Sequence, residues 1–223
     1  MTRVVLLCAV LAVSAGVTLA DDIFIPEWRA AGEPGSVYWE WDTWQGFPGP
    51  MPPDAGGQFV PPGQDPVEPG VGWGPIAELL PEYAGRDEVI GQFGDDGLVF
   101  EMDNFDTENP FKFVHIQVTY LAGMGAAPKG FDVMLDDGTD TFHPADLWDT
   151  TGPDAAGWVT DAYRLTIEPN PTWESFGLKF DGYPAFIDQV VIDTWCVPEP
   201  GTLAVLGVGG LGLLGRPRRR PLR

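Results

Sequence analysis

The sequence predicts an all-β fold, an antiparallel β-sandwich of jelly-roll type. Three observations predict it. Apolar and polar residues alternate with period two in six or seven short segments between residues 36 and 196, as strands with one face turned inward do. Gly, Asp and Pro separate these segments, as in Asp136-Asp137-Gly138, and such residues favour tight reversals. Helical signals are scarce: only "PIAELLPEYAG" (75–85), stopped by Pro81, and "PADLWD" (144–149) offer a short turn each.

The chain opens with an export leader, residues 1–20. Arg3 is its positive end, Val4 to Val13 its apolar core, and Thr18-Leu19-Ala20 a small-residue cleavage site before Asp21. An apolar run of about ten residues matches a signal peptide and is too short to cross a bilayer. Cleavage there leaves one cysteine, Cys196. No internal disulfide is then possible, and the fold must rest on packing.

Residues 21–45 form an aromatic segment belonging to the sandwich, with "SVYWEWDTW" (36–44) as its strand. Residues 46–75 contain seventeen prolines and glycines in thirty positions. Lost donors and high ordering entropy make that stretch a surface loop. The sandwich body follows, residues 76–196, beginning with "GLVFEMDNF" (97–105). In "KFVHIQVTYL" (112–121), Val114, Ile116, Val118 and Tyr120 face one way and Phe113, His115, Gln117 and Thr119 the other, so the strand reads as half-buried. "GFDVMLDDGTDTF" aligns Phe131, Val133 and Leu135 ahead of its hairpin turn; "AYRLTIEP" aligns Tyr163, Leu165 and Ile167; "WESFGLKFDG" aligns Phe176, Leu178 and Phe180. "AFIDQVVIDTWC" sets Phe186, Val190 and Ile192 against Ile187, Val191 and Trp195, and reads as buried on both faces.

Charge excludes one class of partner. Residues 21–215 hold six basic residues and all 33 acidic ones. Such a surface repels phosphate backbones, so nucleic acid is not expected as a ligand. No G-x-S-x-G, H-E-x-x-H, P-loop or dinucleotide fingerprint occurs, and the two histidines, His115 and His143, lack a third ligand at a defined spacing. The chain reads as non-enzymatic. No cofactor is expected, except that "DDGTD" supplies closely spaced oxygens, Asp136, Asp137 and Asp140, suited to calcium or simply to a turn. Nine tryptophans are the other chemical signal. Trp39, Trp41, Trp148, Trp158 and Trp173 lie near turns or on strand faces, as platforms for sugar rings of an extracellular polysaccharide or as core filling.

The chain ends in residues 197–223, with Val197-Pro198-Glu199-Pro200, an uncharged run from Gly201 to Gly215, and arginines 216, 218, 219, 220 and 223. As a helix the run would be about 22 Å long against a hydrocarbon core of about 30 Å. It reads as a short transmembrane helix and a weak anchor. The arginines Arg216, Arg218, Arg219 and Arg220 would hold the C-terminus in the cytoplasm and leave the acidic body outside. The three parts in this order resemble the PEP-CTERM sorting signal of Gram-negative bacteria. The resemblance implies that Pro198, Glu199 and Pro200 are recognised by exosortase, a membrane-embedded processing enzyme. It also implies that the protein, briefly anchored in the inner membrane, is then delivered to the cell surface or extracellular matrix. Pro217 and Pro221 interrupt the arginines, a departure from the pattern. "PEWRAAGEPGSVYWEWD" and "FIDQVVIDTWCVPEP" resemble the β-sandwich ectodomains that precede such signals.

Overall fold

A computed structural model describes residues 23–95, 97–105, 111–123 and 127–197. The expected leader, residues 1–20, and the C-terminal segment from Pro198 onward lie outside them.

The described chain is one short helix, α1 (Glu27–Ala31), and thirteen strands: β1 (Ser36–Trp41), β2 (Ala55–Phe59), β3 (Val71–Trp73), β4 (Ala77–Tyr83), β5 (Arg86–Gln92), β6 (Val99–Asp103), β7 (Lys112–Leu121), β8 (Pro128–Leu135), β9 (Asp140–Pro144), β10 (Leu147–Thr150), β11 (Trp158–Ile167), β12 (Trp173–Phe180) and β13 (Ala185–Cys196). Every pairing is antiparallel. The larger sheet runs β10-β11-β7-β13-β1-β2, with the β4–β5 hairpin attached through β5 to β13; the smaller runs β3-β6-β12-β8-β9. The architecture is all-β with two antiparallel sheets, consistent with the jelly-roll sandwich expected.

Alternation explains the core. β7 contributes Val114, Ile116, Val118 and Tyr120 from the large sheet, and β12 contributes Phe176, Leu178 and Phe180 from the small one. Aromatic rings bridge the layers: Trp41 to Phe100 at 4.6 Å, Phe131 to Tyr163 at 5.5 Å and Tyr120 to Phe180 at 6.5 Å between centroids. Such pairs add to the area they bury.

Several expectations are corrected. The Pro/Gly-rich stretch is not all loop, because β2 and β3 lie in it. Both are edge strands, where a missing N–H costs least. Gly56 in β2 has a further reason: a Cβ there would sit 2.0 Å from the Trp39 ring. Residues 75–85 form a strand, not a helical turn. Pro81 is tolerated because β4 pairs only with β5, and the hairpin turns through Ala84 and Gly85, both at positive φ, which suits the strand twist. Residues 144–149 are likewise not helical. They carry the chain from β9 in the small sheet to β10 in the large one.

Two strands depart from simple alternation. In β13 the register shifts between Ile187 and Gln189. This bulge turns Ile187 to the same core as Val190 and Ile192 and sends Phe186 to a second cluster with Val89, Leu121 and Trp158. One extra residue flips the side-chain parity. The other departure is β7, whose supposed solvent face is also covered: His115, Gln117 and Thr119 are buried. The cover is the N-terminal segment. Phe24 donates its N–H to Gln117 Oε1 at 2.9 Å, and Arg29 reaches Asp193 on β13 at 3.3 Å.

Candidate functional site

That cover builds the most distinctive surface of the molecule. The α1 helix ends at Gly32, left-handed at φ 68, whose N–H and that of Glu33 close on the carbonyls of Arg29 and Trp28, a glycine stop. The stop leaves Trp28 flat on the outer face of the large sheet. Phe113 of β7 and Trp195 of β13 are cross-strand partners there. Trp28 stacks on both, at 6.1 Å and 18° to Phe113 and 5.9 Å and 20° to Trp195.

A cavity of about 620 Å³ opens against this layer, lined by the three rings together with Glu27, Glu33, Asp146 and Arg164. Arg164 organises its rim. Its guanidinium lies 3.7 Å from the centre of the Trp148 ring and 5.5 Å from that of Trp28, within cation–π range. It also pairs with Glu27 at 2.6 Å. The Glu27 carboxyl is held below its ordinary value, by a backbone hydrogen bond first and then by Arg164. The indole N–H groups of Trp28 and Trp195 have no acceptor among the described residues. The site therefore offers apolar ring surface beside two carboxylates and a carboxylate–guanidinium pair.

The five tryptophans expected as platforms divide. Trp39, Trp41 and Trp158 are buried. Trp39 and Trp41 fill the core because alternation turns them inward together, and Trp158 donates to the Ala84 carbonyl at 3.0 Å. None of the three can receive a sugar. Trp173 is half-buried beside the β8–β9 turn. Trp148 is 42% exposed on the edge strand β10 and stands beside the cavity. Trp28 and Trp195 were missed as site residues. Trp195 showed only as one face of an alternating strand, and nothing local says that Trp28 lies on it.

Two of the aspartates weighed for calcium, Asp136 and Asp137, carry hydrogen bonds of the turn. Asp136 Oδ2 accepts from the N–H and hydroxyl of Thr172 at 2.9 and 2.6 Å, and Asp137 Oδ1 from the Thr139 N–H at 2.8 Å. Those hydrogen bonds hold both carboxyls below their usual range. Asp140 is exposed at the start of β9. No group of three or more His, Cys, Asp or Glu that could hold a metal ion occurs among the described residues.

A second hollow lies at the opposite end of the same face, lined by Asp42, Arg86, Asp188 and Gln189 among others. Asp54 Oδ2 caps the chain after β1, accepting the N–H groups of Asp42 and Thr43 at 2.9 Å each. Burial, then Asp54 and Asp188, push the Asp42 carboxyl up from 3.8 to about 6. A raised acid stabilises the folded state below its unfolded pKa, and that stability is lost as pH rises through the folded value. We therefore expect Asp42→Asn to match the wild type near pH 4 and, discounted for partial solvent contact, to exceed it by roughly 1 kcal/mol at pH 7. Denaturant titrations at the two pH values check this.

Pro198, Glu199 and Pro200, the apolar run and Arg216, Arg218, Arg219 and Arg220 lie outside the described residues. No helix among the described residues is long and apolar enough to cross a membrane. β13 ends at Cys196, so the Pro-Glu-Pro segment starts directly beyond a central strand.

Comparison with known proteins identifies residues 197–220 as a PEP-CTERM protein-sorting motif. No curated protein matches the chain. Solved structures give distant likenesses to the β-rich part. The CBM22-1 xylan-binding domain of Xyn10C from Paenibacillus barcinonensis is 12% identical, with 74% of this chain and 98% of that one covered at a TM-score of 0.41. A family GH115 4-O-methyl-alpha-glucuronidase with specificity for decorated arabinogalactans is 13% identical (63% and 19% covered, TM-score 0.33). An exo-beta-1,3-galactanase from Phanerochaete chrysosporium is 16% identical (57% and 30% covered, TM-score 0.31). The chain spans less than a third of either enzyme.

Proposed function

We propose that this chain, exported under the PEP-CTERM sorting motif it carries, is a surface or extracellular-matrix protein whose sandwich binds carbohydrate without transforming it. The sorting part follows from chemistry. Proline biases the residue before it to extended backbone, the form in which exosortase would read Pro198, Glu199 and Pro200. The apolar run is a weak stop, and the arginines orient it with the C-terminus inside. Cleavage then frees the body to the outer surface.

The binding part is carried by one observation, the layer of Trp28, Phe113 and Trp195 walling a cavity rimmed by Glu27, Arg164 and Trp148. Sugar rings present C–H faces to aromatic rings and hydroxyls to charged groups, and this site holds both. Binding is the reading preferred because ring surface and charged groups meet in this one cavity.

Affinity electrophoresis through gels containing neutral and acidic polysaccharides tests the reading. Retardation by at least one is expected. Trp148→Ala, at an exposed position, should weaken it roughly 3- to 10-fold, the worth of one aromatic contact. Trp195→Ala should weaken it at least as much. Mobility unchanged in every gel would overturn the binding part and leave the sorting part standing.

A further inference from the structure

The sandwich interior holds three polar side chains that neither the sorting signal nor the aromatic cavity uses. Lys112 opens β7 in the large sheet. Asn104 follows β6 in the small sheet, and Glu174 is the second residue of β12 beside it. Lys112 and Glu174 are fully buried, and Asn104 is buried as well. Met102, Phe105 and Ile167, all buried, neighbour them in sequence or register.

Their contacts form a closed ring. Lys112 Nζ donates to Asn104 Oδ1 and to Glu174 Oε1. Asn104 Nδ2 donates to Glu174 Oε2 and, at 2.7 Å, to the Pro171 carbonyl. The Asn104 backbone N–H is fixed to the Thr172 carbonyl at 3.1 Å. An ion pair would account for Lys112 and Glu174 alone. It does not account for a carboxamide wedged between them, with its carbonyl on the amine and its NH₂ on the second carboxylate oxygen. One oxygen of Glu174 touches a nucleophile and the other touches a leaving group.

We propose that Lys112 and Asn104 become joined by an intramolecular isopeptide bond, formed by the folded chain itself with Glu174 as proton carrier. The Lys112 ammonium gives a proton to Glu174, which frees the Nζ lone pair. Nζ attacks Asn104 Cγ, and Oδ1 takes up the displaced electron pair of the carbonyl. A second Nζ proton passes by way of Glu174 to Nδ2. The carbonyl re-forms, the Cγ–Nδ2 bond breaks with its electron pair leaving on nitrogen, and one ammonia departs. One C–N bond forms and one breaks, nothing is oxidised or reduced, and no co-reactant is needed. Glu174 ends with a proton, in keeping with burial, which pushes its carboxyl up against the opposing pull of Lys112. Positioning and exclusion of water supply the rate.

The product would tie the two sheets together at the β6–β7 crossover. Cys196 is the one cysteine among the described residues, so no disulfide joins two of them and this would be a covalent staple of another kind. Its loss would also let a cut between residues 105 and 111 separate strands that the staple keeps joined.

The test is peptide mass spectrometry of the folded full-length chain, denatured and then cleaved before aspartate. Cuts before Asp103, Asp106 and Asp132 yield residues 103–105 and 106–131. The expected result is one branched species, lighter than the two peptides together by one ammonia. Two separate peptides of unmodified mass would overturn the proposal. Asn104→Asp is expected to give the same branched product with loss of water. Glu174→Gln, with its fold checked by circular dichroism, should give the separate peptides. Glu174→Asp, expected to crosslink more slowly, serves if the first variant does not fold. Crosslinking as fast and complete as in the wild type in the folded variant would overturn the part given to Glu174.

Discussion

Alanine at positions 198, 199 and 200 together is expected to abolish C-terminal processing, leaving the chain at its unprocessed mass in the membrane fraction. The effect should be close to total because recognition and accessibility fail together. Proline lacks the N–H that a helix or strand needs and biases the residue before it to extended backbone. Pro198 and Pro200 therefore separate the end of β13 at Cys196 from the apolar run that starts at Gly201. With alanines in their place the run could extend toward the sandwich as helix, and the carboxylate of Glu199 would be gone. Anchoring alone cannot compensate. Seven Leu and Val residues in the run contribute roughly −2 to −4 kcal/mol to insertion, and six glycines erode that. Intact-mass measurement on membrane and released fractions decides the matter. Release of correctly trimmed protein from the triple variant would remove the role given to the motif.

The second large effect is on stability. Trp41→Ala should lower it by about 3–5 kcal/mol, the range for deleting a large buried aromatic. Trp41 is fully buried and rests on Phe100 of the opposite sheet at 4.6 Å. Its indole N–H donates to the Met51 carbonyl at 3.0 Å, which pins the 46–54 segment over one end of the sandwich. Domains of this kind are stable by only about 5–15 kcal/mol in total, so much of the margin goes. Trp41→Phe keeps most of the apolar contact but not the hydrogen bond, and should lose less. Urea unfolding followed by tryptophan emission measures both. A loss under about 1 kcal/mol for the alanine variant would contradict the packing described, since surface-like positions behave that way.

Much of the body was legible because most of its strands keep the alternation. β11 and β12 follow the faces read from their residues, and β7 keeps the core face read for it while its other face is covered. The failures have local causes. Pro81 reads as a helix stop until β4 is seen to be an edge with a free side. Residues 46–75 read as loop because Pro and Gly disfavour sheet interiors, a rule silent about edges. The bulge at Asp188 reverses parity within β13, and no residue type announces it. Tryptophans were the least legible. An indole on an alternating strand fits burial and display equally, and Trp39 and Trp148 went opposite ways because one strand lies inside a sheet and the other at its rim.

Sequence alone determined that this chain is acidic, built from alternating strands, and carries a protein-sorting motif of Pro-Glu-Pro, an apolar run and arginines. Those are properties of residue order and hydrophobic period, which act locally. Only the tertiary structure decided that residues 23–33 fold back across the large sheet, so that Trp28 meets Phe113 and Trp195. It alone brought Lys112, Asn104 and Glu174 into one buried contact. The reason is that such meetings depend on which strands pair and which face is covered, and that choice is made by the packing of the whole chain.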